Sequence, residues 1–312
     1  MNKGNTAVLI KCDGSSFYGL GHIRRSITLF QYLTQLGVTC YVECLSEAGR
    51  KWMLDTFKQH APFFLPIKAL VLQPDVVVFD VPYPLKEKVL DEKNKGRKVV
   101  CLDCIADTAP DTSLFIFKHP EQVIIGPHFI GYEHIIIRDE FFKENSTQQY
   151  VNNTRARVLV VLGGADVKGQ SFDTAKKLAF IGYSVTLILG PLATIPTVEE
   201  QQDIQILTCP ENVAELMASA DFCVVNGGGC LFEALFLKKP CVVLPQTQAE
   251  LNIAQDLMQK QQLLGVGEEF IRLFSKQELL KKHNQINQVD GLGLPRISTI
   301  ITKLLGEYSH AV

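Results

Sequence analysis

The 312-residue chain lacks a dominant charge: 31 Lys and Arg stand against 33 Asp and Glu, for a formal net charge of -2. Without a basic field, or a basic cluster interleaved with aromatics, nucleic acid is excluded as the expected partner. No apolar run approaches the roughly 20 residues of a membrane span, so no membrane insertion is expected. The first residues lack a signal-peptide pattern, which points to the cytoplasm. No internal repeat or low-complexity tract stands out, and nothing sets an oligomeric state. The nine cysteines include one C-x-x-C, Cys101 to Cys104, with no second Cys or His pair at zinc spacing. No metal site is therefore expected. An odd count argues against a complete disulfide framework. Cys40, Cys101, Cys223 and Cys241 lie in or beside apolar strand-like runs, where a thiol acts as a small hydrophobe.

What is present is alternation. Strand-like runs at Ala7–Ile10, Val38–Leu45, Asp75–Phe79 and Lys98–Leu102 are separated by helix-like runs starting near His22, Arg50 and Leu85. Shorter apolar pieces follow at Leu114–Phe117, Val123–Ile125 and His134–Ile137. The polar stretch from Lys143 to Thr154 has no periodicity and reads as a boundary, giving domains over 1–145 and 155–312. The second half repeats the alternation, with strands at Arg157–Leu162, Ser184–Leu189, Ile204–Leu207, Phe222–Val225 and Cys241–Leu244. This pattern predicts an α/β fold of two doubly wound Rossmann-type domains, with ligands at the carboxyl ends of the strands.

The most informative segment is the first strand-to-helix loop, Lys11 to Arg25. Rich in Gly and Ser, it leaves backbone N–H groups free at a helix N-terminus, which favours an anion. It also places His22 at that mouth. An imidazole with an ordinary pKa near 6.5 exchanges protons near neutrality, which suits a general base. The alternative for His22 is a helix-start side chain bonded to backbone. Asp13 either orients His22, binds a sugar hydroxyl, or bonds its own turn, and Ser15 and Ser16 either contact ligand or cap locally. Gly19 and Gly21 permit positive φ or close approach. Of Arg24 and Arg25, on different sides of the helix, one is expected near phosphate. Gly227, Gly228 and Gly229 follow a strand and open a helix, so their amides suit a diphosphate. Gly163-Gly164-Ala165-Asp166 is a tight turn with Asp166 as an N-cap or a ligand contact. Asp80 and Asp103 end apolar strands. His119, His128 and His134 show no ligand spacing and are read as structural.

The run Asp13, Ser15, Ser16, Gly19, Gly21, His22, Ile23, Arg25 closely resembles the opening signature of the nucleotide-sugar hydrolases of the pseudaminic-acid pathway and the related spore-coat polysaccharide proteins. The resemblance implies a GT-B-like fold with the two domains facing a central cleft and the last helix, Ile297–Glu307, returning to the first domain. It implies a UDP-sugar substrate, cleaved with water by inverting hydrolysis, without a cofactor. His22 and Asp13 become the catalytic pair. Ser15, Ser16, Gly19, Gly21, Arg25, Asp80, Tyr83, Gly164 and Asp166 become sugar- or phosphate-side residues. Gly227, Gly228, Gly229, Glu233, Gln248 and Asn252 become the UDP site, with Glu233 on the ribose diol and Gln246 nearby. Tyr83 is one residue later than in the family's Asp-x-Tyr, and Thr247-Gln248 stands where many members have Asn-Gln. Arg138-Asp139-Glu140 resembles the Arg-x-Glu closing the family's first domain and reads as a structural ion pair.

Two other functions fit parts of this pattern. A GT-B glycosyltransferase would use the same base on an acceptor hydroxyl, and a nucleotide-sugar binding protein would keep the loops without turnover. A nicotinamide oxidoreductase fits poorly: Gly19 and Gly21 follow a strand and Glu43 ends the next, but Arg24 takes the third glycine position of the fingerprint.

Overall fold

The structure, a computed structural model, describes residues 6–15, 17–65, 73–117, 122–144, 155–194 and 204–309. The first half runs β1 (Ala7–Cys12), α1 (Gly21–Gln35), β2 (Thr39–Cys44), α2 (Glu47–Thr56), β3 (Phe64–Leu65), β4 (Val76–Asp80), α3 (Lys88–Asn94), β5 (Lys98–Leu102), β6 (Thr112–Phe115) and β7 (His128–Ile130). The second begins with α4 (Asp139–Glu144), β8 (Arg157–Val161), α5 (Ser171–Ile181), β9 (Ser184–Leu189), β10 (Ile204–Thr208) and α6 (Val213–Ser219). It ends with β11 (Phe222–Val225), α7 (Gly229–Phe236), β12 (Cys241–Val243), α8 (Gln248–Gln259), β13 (Gly265–Val266), α9 (Lys276–Gln285) and α10 (Gly293–Ser309). These form two compact units, Met1–Ile136 with Leu292–Val312, and Ile137–Gly291.

The first unit holds a parallel sheet in the order β3-β2-β1-β4-β5-β6-β7. Strand order reverses between β1 and β4, which are register neighbours with Cys12 opposite Asp80. Doubly wound sheets bind ligands at the carboxyl end of such a switch point. β4 is buried at every residue, as a continuous apolar run in a covered parallel sheet should be. α1 buries Ile23, Ile27, Phe30 and Leu33 at helical spacing. Leu294, Ile297, Ile301 and Leu305 of α10 join the same core cluster.

The second unit repeats the topology as β10-β9-β8-β11-β12-β13, all parallel. Its switch point lies between β8 and β11. Val158, Val160, Leu187, Phe222 and Val224 form its centre. Thr247 caps α8 by accepting from Glu250 N at 3.2 Å, and Ser275 with Glu278 makes a capping box at α9.

Three features differ from the sequence expectation. The chain leaves the first unit at Ile136 rather than near residue 145, because Arg138 and α4 pack with the second unit; most of the polar stretch at 145–154 lies outside the described residues. The final helix starts at Gly293, earlier than Ile297, since Pro295 sits in its first turn, where a missing N–H costs nothing. It is grouped with the first unit, the domain to which the resemblance assigned the last helix. Finally, three of the four sheet-edge strands, β3, β7 and β13, were not expected.

Candidate functional site

The loop after β1 is held by its own polar groups. Asp13 is buried; its Oδ1 accepts from Gly14 N at 2.8 Å and Ser46 N at 3.2 Å, and its Oδ2 accepts from the Tyr83 hydroxyl at 2.8 Å. Ser15 and Gly19 exchange backbone hydrogen bonds of 3.1 and 2.7 Å, and Ser15 Oγ accepts from Phe17 N and Tyr18 N, both at 3.2 Å. Gly19, at φ +77°, makes a turn that disfavours a side chain. Phe17 and Tyr18 are left exposed at 69% and 43%. Tyr83 stands 6.0 Å from Tyr18, ring to ring. Burial and the Asp13 carboxylate push its phenol well above the ordinary range.

Gly21 then opens α1 without a side-chain cap, so the first amides of the helix have no partner within it. His22, Arg25 and Ser26 fall three and four residues apart, on one helix face, and all three reach Asp80. His22 Nδ1 lies 2.6 Å from Asp80 Oδ1. Arg25 Nε donates to both Asp80 oxygens at 2.9 Å and Nη2 to Oδ1 at 2.5 Å, while Ser26 Oγ donates to Oδ2 at 2.9 Å. Arg25 Nη1 also donates to Asp103 Oδ2 at 2.7 Å. The Asp80 side chain is 0% exposed. Burial pushes its carboxyl up, but the Arg25 guanidinium and the His22 ring outweigh this and hold it down at about 2. An ionised carboxylate can only accept, so the Nδ1 facing it carries the ring proton. The Nε2 lone pair is then left as the basic site, with the ring 21% exposed.

The second unit presents two glycine-containing loops at its switch point. Gly163 (φ +82°) and Gly164 follow β8. A Cβ on Gly190 would lie 2.5 Å from Gly164 Cα, so the two loops touch backbone to backbone. Asp166 ties down the chain entering α5: Oδ1 accepts from Gln170 N at 3.1 Å and Oδ2 from Ser171 N at 3.0 Å and Ser171 Oγ at 2.6 Å. After β11, Gly227 packs so tightly on α8 that its Cβ would lie 2.5 Å from Glu250 Cβ, whereas Gly229 has open space. Glu250 accepts from Asn226 Nδ2 at 2.6 Å and Gln246 N at 2.7 Å, and its burial raises its carboxyl above the usual range. Asn226 Oδ1 is buried without a partner. Gln246 ties the next loop down, accepting from Lys168 N at 2.9 Å. Glu233 is buried in α7 and gripped by Arg138, with Nε to Oε1 at 2.6 Å and Nη2 to Oε2 at 2.9 Å; Arg138 also pairs with Glu140 at 2.7 Å.

Comparison with known proteins agrees with this frame. No family model matches the chain. It is 25% identical to the spore coat polysaccharide biosynthesis protein SpsG of Bacillus subtilis, across 95% of this chain and 97% of that protein. It is 19% identical to the UDP-2,4-diacetamido-2,4,6-trideoxy-beta-L-altropyranose hydrolase of Campylobacter jejuni, across 74% and 88%. The chain is similar to both proteins along most of its length. An uncharacterised protein of Methanocaldococcus jannaschii is 22% identical over 81% of the chain, which spans 58% of that longer protein. The fold is GT-B-like: MurG of Acinetobacter baumannii superposes with a TM-score of 0.63 at 12% identity, covering 96% of this chain and 99% of that one.

Several expectations for the site residues need correction. His22 is oriented by Asp80, not Asp13, whose carboxylate is committed to Gly14, Ser46 and Tyr83. Asp80 is fully buried under His22, Arg25 and Ser26, so it does not face a sugar. Arg25 turns inward to two carboxylates rather than toward phosphate, and Arg24 lies over the Trp52 ring at 5.2 Å. Glu233 has both oxygens on Arg138 instead of standing open for a diol. Asp166 is spent on the chain entering α5. Gln248 donates to Asn252 at 3.0 Å on the exposed start of α8. Ser16 and His119 lie outside the described residues. Asp103, Ser26, Asn226 and Glu250 went unassigned; the available signal for Asp103 was a charge directly after a buried strand, which calls for a cation partner.

Proposed function

We propose that the protein hydrolyses a UDP-linked diacetamido-trideoxy sugar with inversion, releasing UDP and the free sugar for nonulosonic-acid or surface-glycan synthesis. The observation that carries this reading is His22, whose Nδ1 is held 2.6 Å from the buried Asp80 carboxylate. Nε2 takes a proton from water as the water oxygen bonds to the anomeric carbon. The bond from that carbon to the phosphate oxygen breaks on the opposite face, and its electron pair leaves with UDP. A single displacement inverts the anomeric centre. The proton gained by the imidazole is balanced by Asp80, which stays ionised because of Arg25. The glycine turn ending at Gly229 and the uncapped start of α7 suit the diphosphate. The relative named as a UDP-diacetamido-sugar hydrolase supports the substrate class. Nine free cysteines suit a reducing compartment, and we place the reaction in the cytoplasm. Among the described residues no helix is long and apolar enough to cross a membrane.

A glycosyltransferase reading is kept because of Phe17 and Tyr18, exposed on the loop before His22 and suited to an apolar face of an acceptor. In that case the base takes its proton from an acceptor hydroxyl. The test is incubation with UDP-linked diacetamido sugars in H₂¹⁸O without acceptor. Hydrolysis releases UDP at enzymatic rates and puts ¹⁸O on the anomeric carbon; UDP release only after adding an acceptor establishes transfer. His22→Ala and His22→Asn should keep UDP binding by calorimetry and lose at least about 10²-fold in turnover. Near-normal turnover in either variant removes His22 from the chemistry.

A further inference from the structure

We propose that Asp103 is a positioning residue: by anchoring the far end of the Arg25 guanidinium, it keeps Asp80 Oδ1 available to His22 and so fixes the ring tautomer. The proposal rests on His22 being the base of the reaction above, and it follows from how donors crowd one oxygen. Asp80 Oδ1 receives His22 Nδ1 at 2.6 Å, Arg25 Nε at 2.9 Å and Arg25 Nη2 at 2.5 Å. Arg25 Nη2 and His22 Nδ1 are themselves only 3.0 Å apart. Guanidinium nitrogens cannot accept, so with Nδ1 protonated this approach is a contact between two donors competing for Oδ1. Arg25 already grips Asp80 in a two-pronged pair, Nη2 to Oδ1 at 2.5 Å and Nε to Oδ2 at 2.9 Å, the favoured guanidinium–carboxylate geometry. Any further rotation of the guanidinium toward Oδ1 presses Nη2 against the imidazole.

Asp103 opposes that rotation. Its Oδ2 accepts from Arg25 Nη1 at 2.7 Å, so the guanidinium is stretched between two carboxylates. Asp103 is in turn immobilised from β6: its N–H donates to Leu114 O at 2.8 Å and its Oδ1 accepts from Ile116 N at 2.6 Å. The backbone is held at φ +51°, a left-handed conformation that is strained for a residue with a side chain. Strain of this kind persists where surrounding contacts impose it, and here they aim the carboxylate at Arg25. Packing does not substitute for the anchor. A cavity of about 20 Å³, room for one water, borders Arg25 and Asp103 together with Leu114, Ile116, His134 and Ile297. One side of the guanidinium therefore abuts a gap rather than packed side chains.

Asp103→Asn is the cleanest variant, since Asn tolerates left-handed φ and its carbonyl oxygen can still accept from Ile116 N. Asp103→Gly removes the side chain and the strain together and serves should the Asn chain fail to fold. Two readouts are needed. In wild type, ¹⁵N shifts of the His22 ring should report one dominant tautomer protonated at Nδ1; in both variants they should report a mixture. Turnover of the UDP-sugar should fall about 10- to 100-fold, with KM and UDP affinity within about twofold of wild type. A purely structural role would lower the melting temperature and leave the ring tautomer alone. Unchanged ¹⁵N shifts in the folded variants overturn the proposal whatever happens to turnover. Shifts that move in a protein whose wild type hydrolyses and transfers no UDP-sugar would instead uphold the positioning role and reject the reaction.

Discussion

At the residue scale, the fully buried Asp80 carboxylate joins local stability to the orientation of His22. Its folded-state pKa of about 2 lies below the ordinary 3.8. It therefore contributes stability that is present above about pH 4 and lost as pH falls toward 2. Asp80→Asn leaves Arg25 with Asp103 alone and should cost about 3 kcal/mol at pH 7, read as a lower urea midpoint. The gap between wild type and variant should narrow between pH 4 and 2; a constant gap would mean that Asp80 is not ionised in the folded protein. His22 was legible from sequence because a short loop joins a buried strand to an amphipathic helix. Its partner was not. Asp13 is nearest along the chain, whereas Asp80 arrives from 58 residues away through the pairing of β1 with β4, which no local pattern encodes. Glu233 failed for the same reason: its position one turn into α7 was visible, but Arg138, 95 residues distant, was not.

At the scale of elements, the glycines after β11 separate into two kinds. Gly227 is required by packing, since a Cβ there would meet Glu250 at 2.5 Å, while a Cβ on Gly229 meets nothing within 4 Å. Gly227→Ala should lower the melting temperature by displacing the start of α8. Gly229→Ala, at the first position of α7, should hold or raise it, because Ala is the better helix former by about 0.5–1 kcal/mol. If the diphosphate rests on this backbone, Gly229→Ala also weakens UDP binding by tenfold or more in calorimetry. Unchanged affinity would move the phosphates elsewhere. The sequence marked all three glycines alike, because composition shows that a turn is present and only packing shows which member has room.

At the scale of the whole molecule, the first unit is discontinuous. Its core takes Leu294, Ile297, Ile301 and Leu305 from the end of the chain. Truncation after Gly291 should therefore strip amide protection in hydrogen exchange from α1, β1 and β4 and leave β8, β9 and β11 protected. Equal loss in both halves would show that the two units unfold together. The amphipathic pattern of α10 could be read from its own residues, whereas its attachment to the first domain came only from the family resemblance, since any apolar face within reach would satisfy the same residues. The cysteines carry one practical consequence of this burial. Seven thiols are buried, Cys230 is half-buried, and Cys209 is exposed. A maleimide fluorophore should thus attach first at Cys209, just past β10, giving the unmutated protein an optical reporter in its second unit.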